Sequence, residues 1–118
     1  MKNLTAVLLL IMFCAGCFHE KDENDVHLKV FKSDESLQCQ PNSGITLEDM
    51  AQELIDAGVD VICSQKGSDG MARPAVCDIE SGGINVYTIN AVNLDDVNSL
   101  GYESVEILPD YIDEACGN

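Results

Sequence analysis

The residues of this chain best suited to chemistry are its six cysteines, at positions 14, 17, 39, 63, 77 and 116. Cys14 and Cys17 form a C-x-x-C within "FCAGC", a spacing that elsewhere serves dithiol exchange or metal binding. Their surroundings argue against both uses. They close an apolar run over residues 4–18 that only Thr5 and Gly16 interrupt. His19 is the one imidazole nearby, and no second close cysteine pair completes a zinc set. The other four cysteines are widely separated, as in a disulfide framework.

The segment before Cys17 is laid out for export. Lys2 is a short basic region, residues 4–13 are apolar, and the small residues Ala15 and Gly16 precede Cys17. As a helix the apolar run would reach about 22 Å, short of the roughly 30 Å of bilayer hydrocarbon. A permanent single span is therefore not expected. "CAGC" resembles the lipobox of bacterial lipoprotein precursors, in which Leu usually stands where this chain has Cys14. The resemblance covers only about the first 17 residues. It implies that residues 1–16 are a signal peptide and that Cys17 becomes the first mature residue. It further implies a diacylglyceryl thioether on Cys17, with acylation of the new amino group. Several acyl chains hold a protein on a membrane stably, whereas one chain is marginal. In that family Asp after the modified cysteine retains the protein at the inner membrane. Phe18 therefore implies the inner leaflet of the outer membrane, where the organism has one.

Acidic residues number 21 against 6 basic. Loss of Lys2 with the signal takes the formal charge from −15 to −16. No basic patch is available for phosphate backbones, so nucleic acid is not expected as a partner. Anionic headgroups would repel the domain, which leaves membrane contact to the acyl chains. The acidity reads as a solubility device. The sharper alternative, binding of divalent cations or cationic partners, lacks an EF-hand-like spacing. Residues 19–25, "HEKDEND", are wholly polar and read with Cys17 as a short acidic tether. Residues 26–118 are then one small domain.

That domain must position whatever site exists. "VHLKVFK" (26–32) alternates like a strand with one buried face. "TLEDMAQELIDAG" (46–58) is the clearest helix. Thr46 caps it, and Leu47, Met50, Ala51, Leu54 and Ile55 form its apolar stripe. Gly58 suits the position after its end. "VDVIC" (59–63) reads as a strand completing a β-α-β crossover. "KGSDG" (66–70) and "ESGG" (80–83) read as turns around a short strand in "PAVCDI". "INVYTIN" (84–90) is a strand apolar on both faces. "NLDDVNSLG" (93–101) is a short helix capped by Asn93, with Leu94, Val97 and Leu100 inward. "YESVEIL" (102–108) is a last strand that Pro109 stops, and "DYIDEAC" is a tail with room for one helical turn. The order predicts an α+β two-layer sandwich, ferredoxin-like β-α-β-β-α-β, with helices on one face of a mainly antiparallel sheet.

Four mature cysteines allow three pairings. In the ferredoxin-like topology Cys39 and Cys77 fall at the same end of the sheet. This favours Cys39–Cys77 and leaves Cys63–Cys116 to pin the tail. The alternative is redox. "VFKSDESLQC" partly resembles the strand and C-x-x-C opening of thioredoxin-like proteins, with Ser36 in place of the first cysteine and Cys39 as the second. The resemblance would make Pro74 the cis-proline and centre a thiol role on Cys39. It lacks the attacking thiol, which ordinary dithiol exchange requires.

No complete catalytic constellation is present, so a non-enzymatic binding or accessory module facing the periplasm is expected, with no cofactor. Its partner would be an envelope protein or a small ligand. His19 lies in the tether and His27 on a strand, with no serine placed beside it. Asp60, Asp69 and Asp78 are scattered carboxylates in a very acidic chain. "KGSDGMARPAV" (66–76) is the most distinctive loop. It gathers Lys66, Arg73 and the adaptable Met71, a candidate recognition loop on a rigid scaffold.

Overall fold

A computed structural model describes residues 26–116. The signal segment, Cys14, Cys17, Phe18, His19 and the tether lie outside the described residues.

Five strands and two helices make an α+β domain with one open antiparallel sheet. In chain order these are β1 His27–Ser33, α1 Leu47–Asp56, β2 Cys63–Ser68, β3 Gly83–Asn90, α2 Leu94–Ser99, β4 Glu103–Ser104 and β5 Ile112–Asp113. The sheet order is β4-β1-β3-β2-β5. β3 is the hub. It pairs with β1 from His27↔Asn90 to Ser33↔Ile84, and with β2 from Cys63↔Thr88 to Ser68↔Gly83. Its position explains why "INVYTIN" is apolar on both faces: neither face meets water.

Alternation along β1 and β3 builds two cores. On one face Val30, Tyr87 and Ile89 pack with Met50 and Leu54 of α1, Val97 of α2, Val59 and Tyr102. On the other face Ile84, Val86 and Phe31 pack against Val105, Leu108 and Tyr111. Both helices therefore share one face, as the sequence predicts. The opposite face is crossed by residues 105–111, which carry the chain from β4 at one edge to β5 at the other.

α1 forms as its pattern requires. Thr46 Oγ1 accepts from Asp49 N at 3.1 Å, and Gly58 follows the helix at φ +82°. Ile55 departs from the expected stripe and is 53 % exposed. Asn93 makes no side-chain cap. Asn90 instead accepts from Val92 N and opens a 3-10 turn that leads into α2.

Four boundaries differ from those expected. Residues 59–61 are not strand: Val59 N still donates to Leu54 O, and the ladder begins only where Ile62 N donates to Thr88 O. The strand is "CSQKGS", so Lys66, Gly67 and Ser68 belong to β2 and not to a turn. Pairing with β3, not intrinsic preference, selects this polar segment. "PAVCDI" is turn, because Val76 N donates to Pro74 O and Asp78 takes φ +70°. "YESVEIL" leaves the sheet after Ser104, whose hydroxyl accepts from Glu106 N and starts a 3-10 turn over Val105–Ile107. The tail is the short strand β5 and not a helical turn. It lies against β2 through Ser68↔Ile112 and Gly67↔Asp113.

Candidate functional site

The best-built polar cluster lies where the end of β1, the middle of β2 and the start of α1 converge. Asp34 follows β1 and is buried. Its Oδ1 accepts from Ser36 N at 2.8 Å, and its Oδ2 faces Lys66 Nζ at 3.2 Å. Burial works to raise the Asp34 pKa, but the bonds from Ser36 and the Lys66 ammonium outweigh it and hold the carboxyl below its ordinary 3.8. Gly83 leaves room for this carboxylate, because a Cβ would stand 2.6 Å from Asp34 Oδ2 and displace it.

Lys66 sits opposite Asn85 in the β2–β3 ladder. It also donates to Ile45 O at 3.4 Å. Asn85 is fully buried. Its Nδ2 donates to Ile45 O at 3.0 Å and to Thr46 O at 3.4 Å, while its Oδ1 has no hydrogen-bond partner. Tyr87 OH donates to Leu47 O at 2.7 Å. Burial pushes the Tyr87 hydroxyl pKa far up, so it acts as a fixed donor. Together these side chains lock the start of α1 onto β2 and β3.

Among the three grooves that Lys66 lines within the described residues, two flank the start of α1. One, of about 400 Å3, runs between α1 and the C-terminal tail and is lined by Leu47, Ala51, Ser64, Lys66, Glu114 and Ala115. The other, of about 340 Å3, passes over Asn42, Gly44, Thr46 and Glu48. Lys66 offers a partly exposed ammonium, Ser64 a hydroxyl, and Glu48 and Glu114 carboxylates, beside the apolar Leu47 and Ala51. Such a lining can hold a small ligand with an anionic group at Lys66 and a cationic or N–H group toward the carboxylates.

The residues singled out in the sequence are dispersed differently. Lys66 is on β2 and inside this cluster. Arg73 is elsewhere, gripping Asp69 through both terminal nitrogens at 2.8 and 2.7 Å. That grip holds the Asp69 carboxyl below its ordinary range. Met71 is 64 % exposed between them. The segment expected as a recognition loop is thus a turn clamped by an Asp69–Arg73 fork, with Lys66 on the sheet. Asp78 accepts from Gln40 Nε2 at 2.7 Å, and Asp60 is exposed, so these carboxylates do not form a pair with Asp69. His27 is exposed at the start of β1.

The cysteines stand as Cys39–Cys77 and Cys63–Cys116, with Cα atoms 5.1 and 5.8 Å apart. Cys39, at φ +65°, lies in a turn that Gln38 N and Asp78 N tie to the facing turn at residues 78–79, through Ile79 O and Gln38 O. It does not head α1, which is where a thioredoxin-like arrangement would require it. Asp34 and Asn85 escaped the sequence reading. Their signals were an Asp-x-Ser turn directly after a strand and one amide inside an otherwise apolar central strand.

Comparison with protein-family models, with curated proteins and with solved structures finds no match for this chain.

Proposed function

We propose that this protein is a lipid-anchored envelope protein whose small disulfide-stapled domain binds a ligand in the grooves around Lys66. The observation that carries the binding part is the convergence of two grooves on one lysine held by Asp34 and Ile45. The walls there are fixed by buried bonds from Asn85 and Tyr87. Pre-organised walls reduce the ordering cost that a ligand must offset. The ligand is small and bears an anionic group. The strand order β4-β1-β3-β2, with helices after β1 and after β3, supports a ferredoxin-like reading extended by β5. The lipobox-like "CAGC" supports the anchor on Cys17 and the periplasmic address.

The test of binding is amide shift mapping on the isotope-labelled mature protein with a panel of free amino acids and dipeptides. Shifts confined to Thr46, Ser64, Lys66 and Glu114, and absent from Lys66→Ala, are the expected result. No shifts across the panel, or shifts that persist in Lys66→Ala, reject this site. The anchor is tested separately. Cys17→Ser should leave the protein unprocessed or move it to the soluble fraction, and unchanged acylation and membrane association would reject the lipid claim.

A further inference from the structure

We infer that the Cys63–Cys116 disulfide is a redox latch on the C-terminal strap, so that a dithiol which opens it frees residues 112–116 while the helix-and-sheet core stays folded. The strap is held unevenly along its length. Its first part is packed: Val105 is buried, and Leu108 and Tyr111 pack against Ile84, Val86 and Phe31. Its second part, residues 112–116, is held at an exposed sheet edge by polar bonds, among them Tyr111 OH to Asp113, and not by buried apolar packing. β5 makes two ladder pairs, and Glu114 N adds one bond to Lys66 O at 2.9 Å. Lys29 donates to Asp113 at 2.8 Å, but across a partly solvated pair. Such pairs contribute little.

Beneath the strap, Gln65 Nε2 donates to Glu114 O, yet Gln65 Oε1 is buried without a partner. An orphaned buried acceptor is relieved by exposure to water. Ile112, Glu114, Ala115 and Cys116 are all exposed. A chain end with few buried contacts belongs to the low-stability part of a fold. The core on the helix face contains no strap residue at all, from Val30 through Tyr102. Loss of the strap therefore leaves that core intact.

Accessibility sets the direction of the chemistry. Cys63 is buried and Cys116 exposed. A thiolate of a dithiol reductant attacks Cys116 Sγ, the Cys63–Cys116 bond breaks, and Cys63 leaves as thiolate and takes a proton. The second thiol of the reductant then closes its own disulfide and releases Cys116 as a thiol. One dithiol is oxidised for each protein disulfide reduced. Glu114 and Ala115 form one wall of the groove beside Lys66. Opening the latch therefore removes that wall, a consequence that rests on the proposed binding site, whereas the latch itself does not.

The experiment is hydrogen exchange read by mass spectrometry on the full exported protein, oxidised, and on Cys116→Ala, which keeps Cys39–Cys77. Amides of residues 112–116 should exchange faster by about tenfold or more in the variant, with β1, β3 and α1 unchanged. Unchanged strap protection overturns the latch. So does loss of protection throughout β3 and α1, which would make the bridge a staple of the whole fold. A second measurement starts from folded, oxidised protein: graded dithiothreitol, then iodoacetamide and peptide mapping. Alkylated Cys116 with an unchanged far-ultraviolet circular dichroism spectrum supports the latch. Alkylation of Cys116 only together with loss of that spectrum overturns it. Neither readout uses a ligand, so failure of the binding reading leaves both intact.

Discussion

Asp34 shows how a single residue can organise one end of this domain. Its backbone joins β3 through Asp34 N to Gly83 O and receives Ile45 N, while its side chain holds Ser36 and Lys66. Its carboxyl is held below the ordinary 3.8 in the folded state. A depressed folded pKa contributes stability that is present above the unfolded pKa and lost as pH falls through the folded one. Asp34→Asn should therefore destabilise by about 1–3 kcal/mol at pH 7, the usual cost of removing a buried charged hydrogen-bond partner. In a domain of this size that is a Tm lower by about 4–8 °C for each kcal/mol. The gap between variant and wild type should narrow as pH drops below 3.8. Melting curves from pH 7 to pH 2 check it, and a gap independent of pH would mean that packing, not charge, gives Asp34 its role. Beyond its Asp-x-Ser turn, none of this is legible in the sequence, where Asp34 is one acid among 21. Its burial depends on Gly83, 49 positions away, leaving room for it.

Elements with local signals were readable, and those defined by their partners were not. α1 carries its own cap, stripe and stop, so Thr46, Met50, Leu54 and Gly58 sit as their types demand. β3 was visible because a central strand must be apolar on both faces. β2 was misplaced because "CSQKGS" has no alternation of its own and is strand only against β3. β5 and the turn after Ser104 depend likewise on a sheet face that no local pattern announces. The two expected caps provide a direct test of this distinction. Thr46 Oγ1 accepts from Asp49 N, whereas Asn93 makes no cap bond. Thr46→Ala should cost about 1 kcal/mol. Asn93→Ala should stay within about 0.5 kcal/mol, as for surface positions with no special contact. Equal losses in urea denaturation of the two variants would show that helix propensity, not capping, governs both ends.

At the scale of the whole molecule the charge is lopsided in a way that pair counting hides. The described residues include four lysines and arginines, and each is in an ion pair: Lys29–Asp113, Lys32–Glu53, Lys66–Asp34 and Arg73–Asp69. The remaining carboxylates of those residues make no ion pair with a described lysine or arginine, although Glu80 still feels the Arg73 charge. They spread over α1, α2 and the strap at Glu48, Asp56, Asp95, Asp96, Glu106 and Asp110. Two effects of salt then oppose each other. Screening weakens the four pairs, of which those more exposed contribute little in any case. It also weakens repulsion among many more like charges, which strains the compact state more than the expanded one. Repulsion acts over the roughly 10 Å that screening reaches at 0.1 M, so it is the more numerous and longer-ranged term. Tm should therefore rise by several degrees between about 0.01 and 0.3 M sodium chloride. A falling Tm would mean that the ion pairs at Asp34 and Asp69, the two most enclosed, outweigh the whole acidic exterior. A rise would make the exterior a standing destabiliser that the Cys39–Cys77 disulfide helps the domain withstand, since it closes a long loop in the unfolded chain.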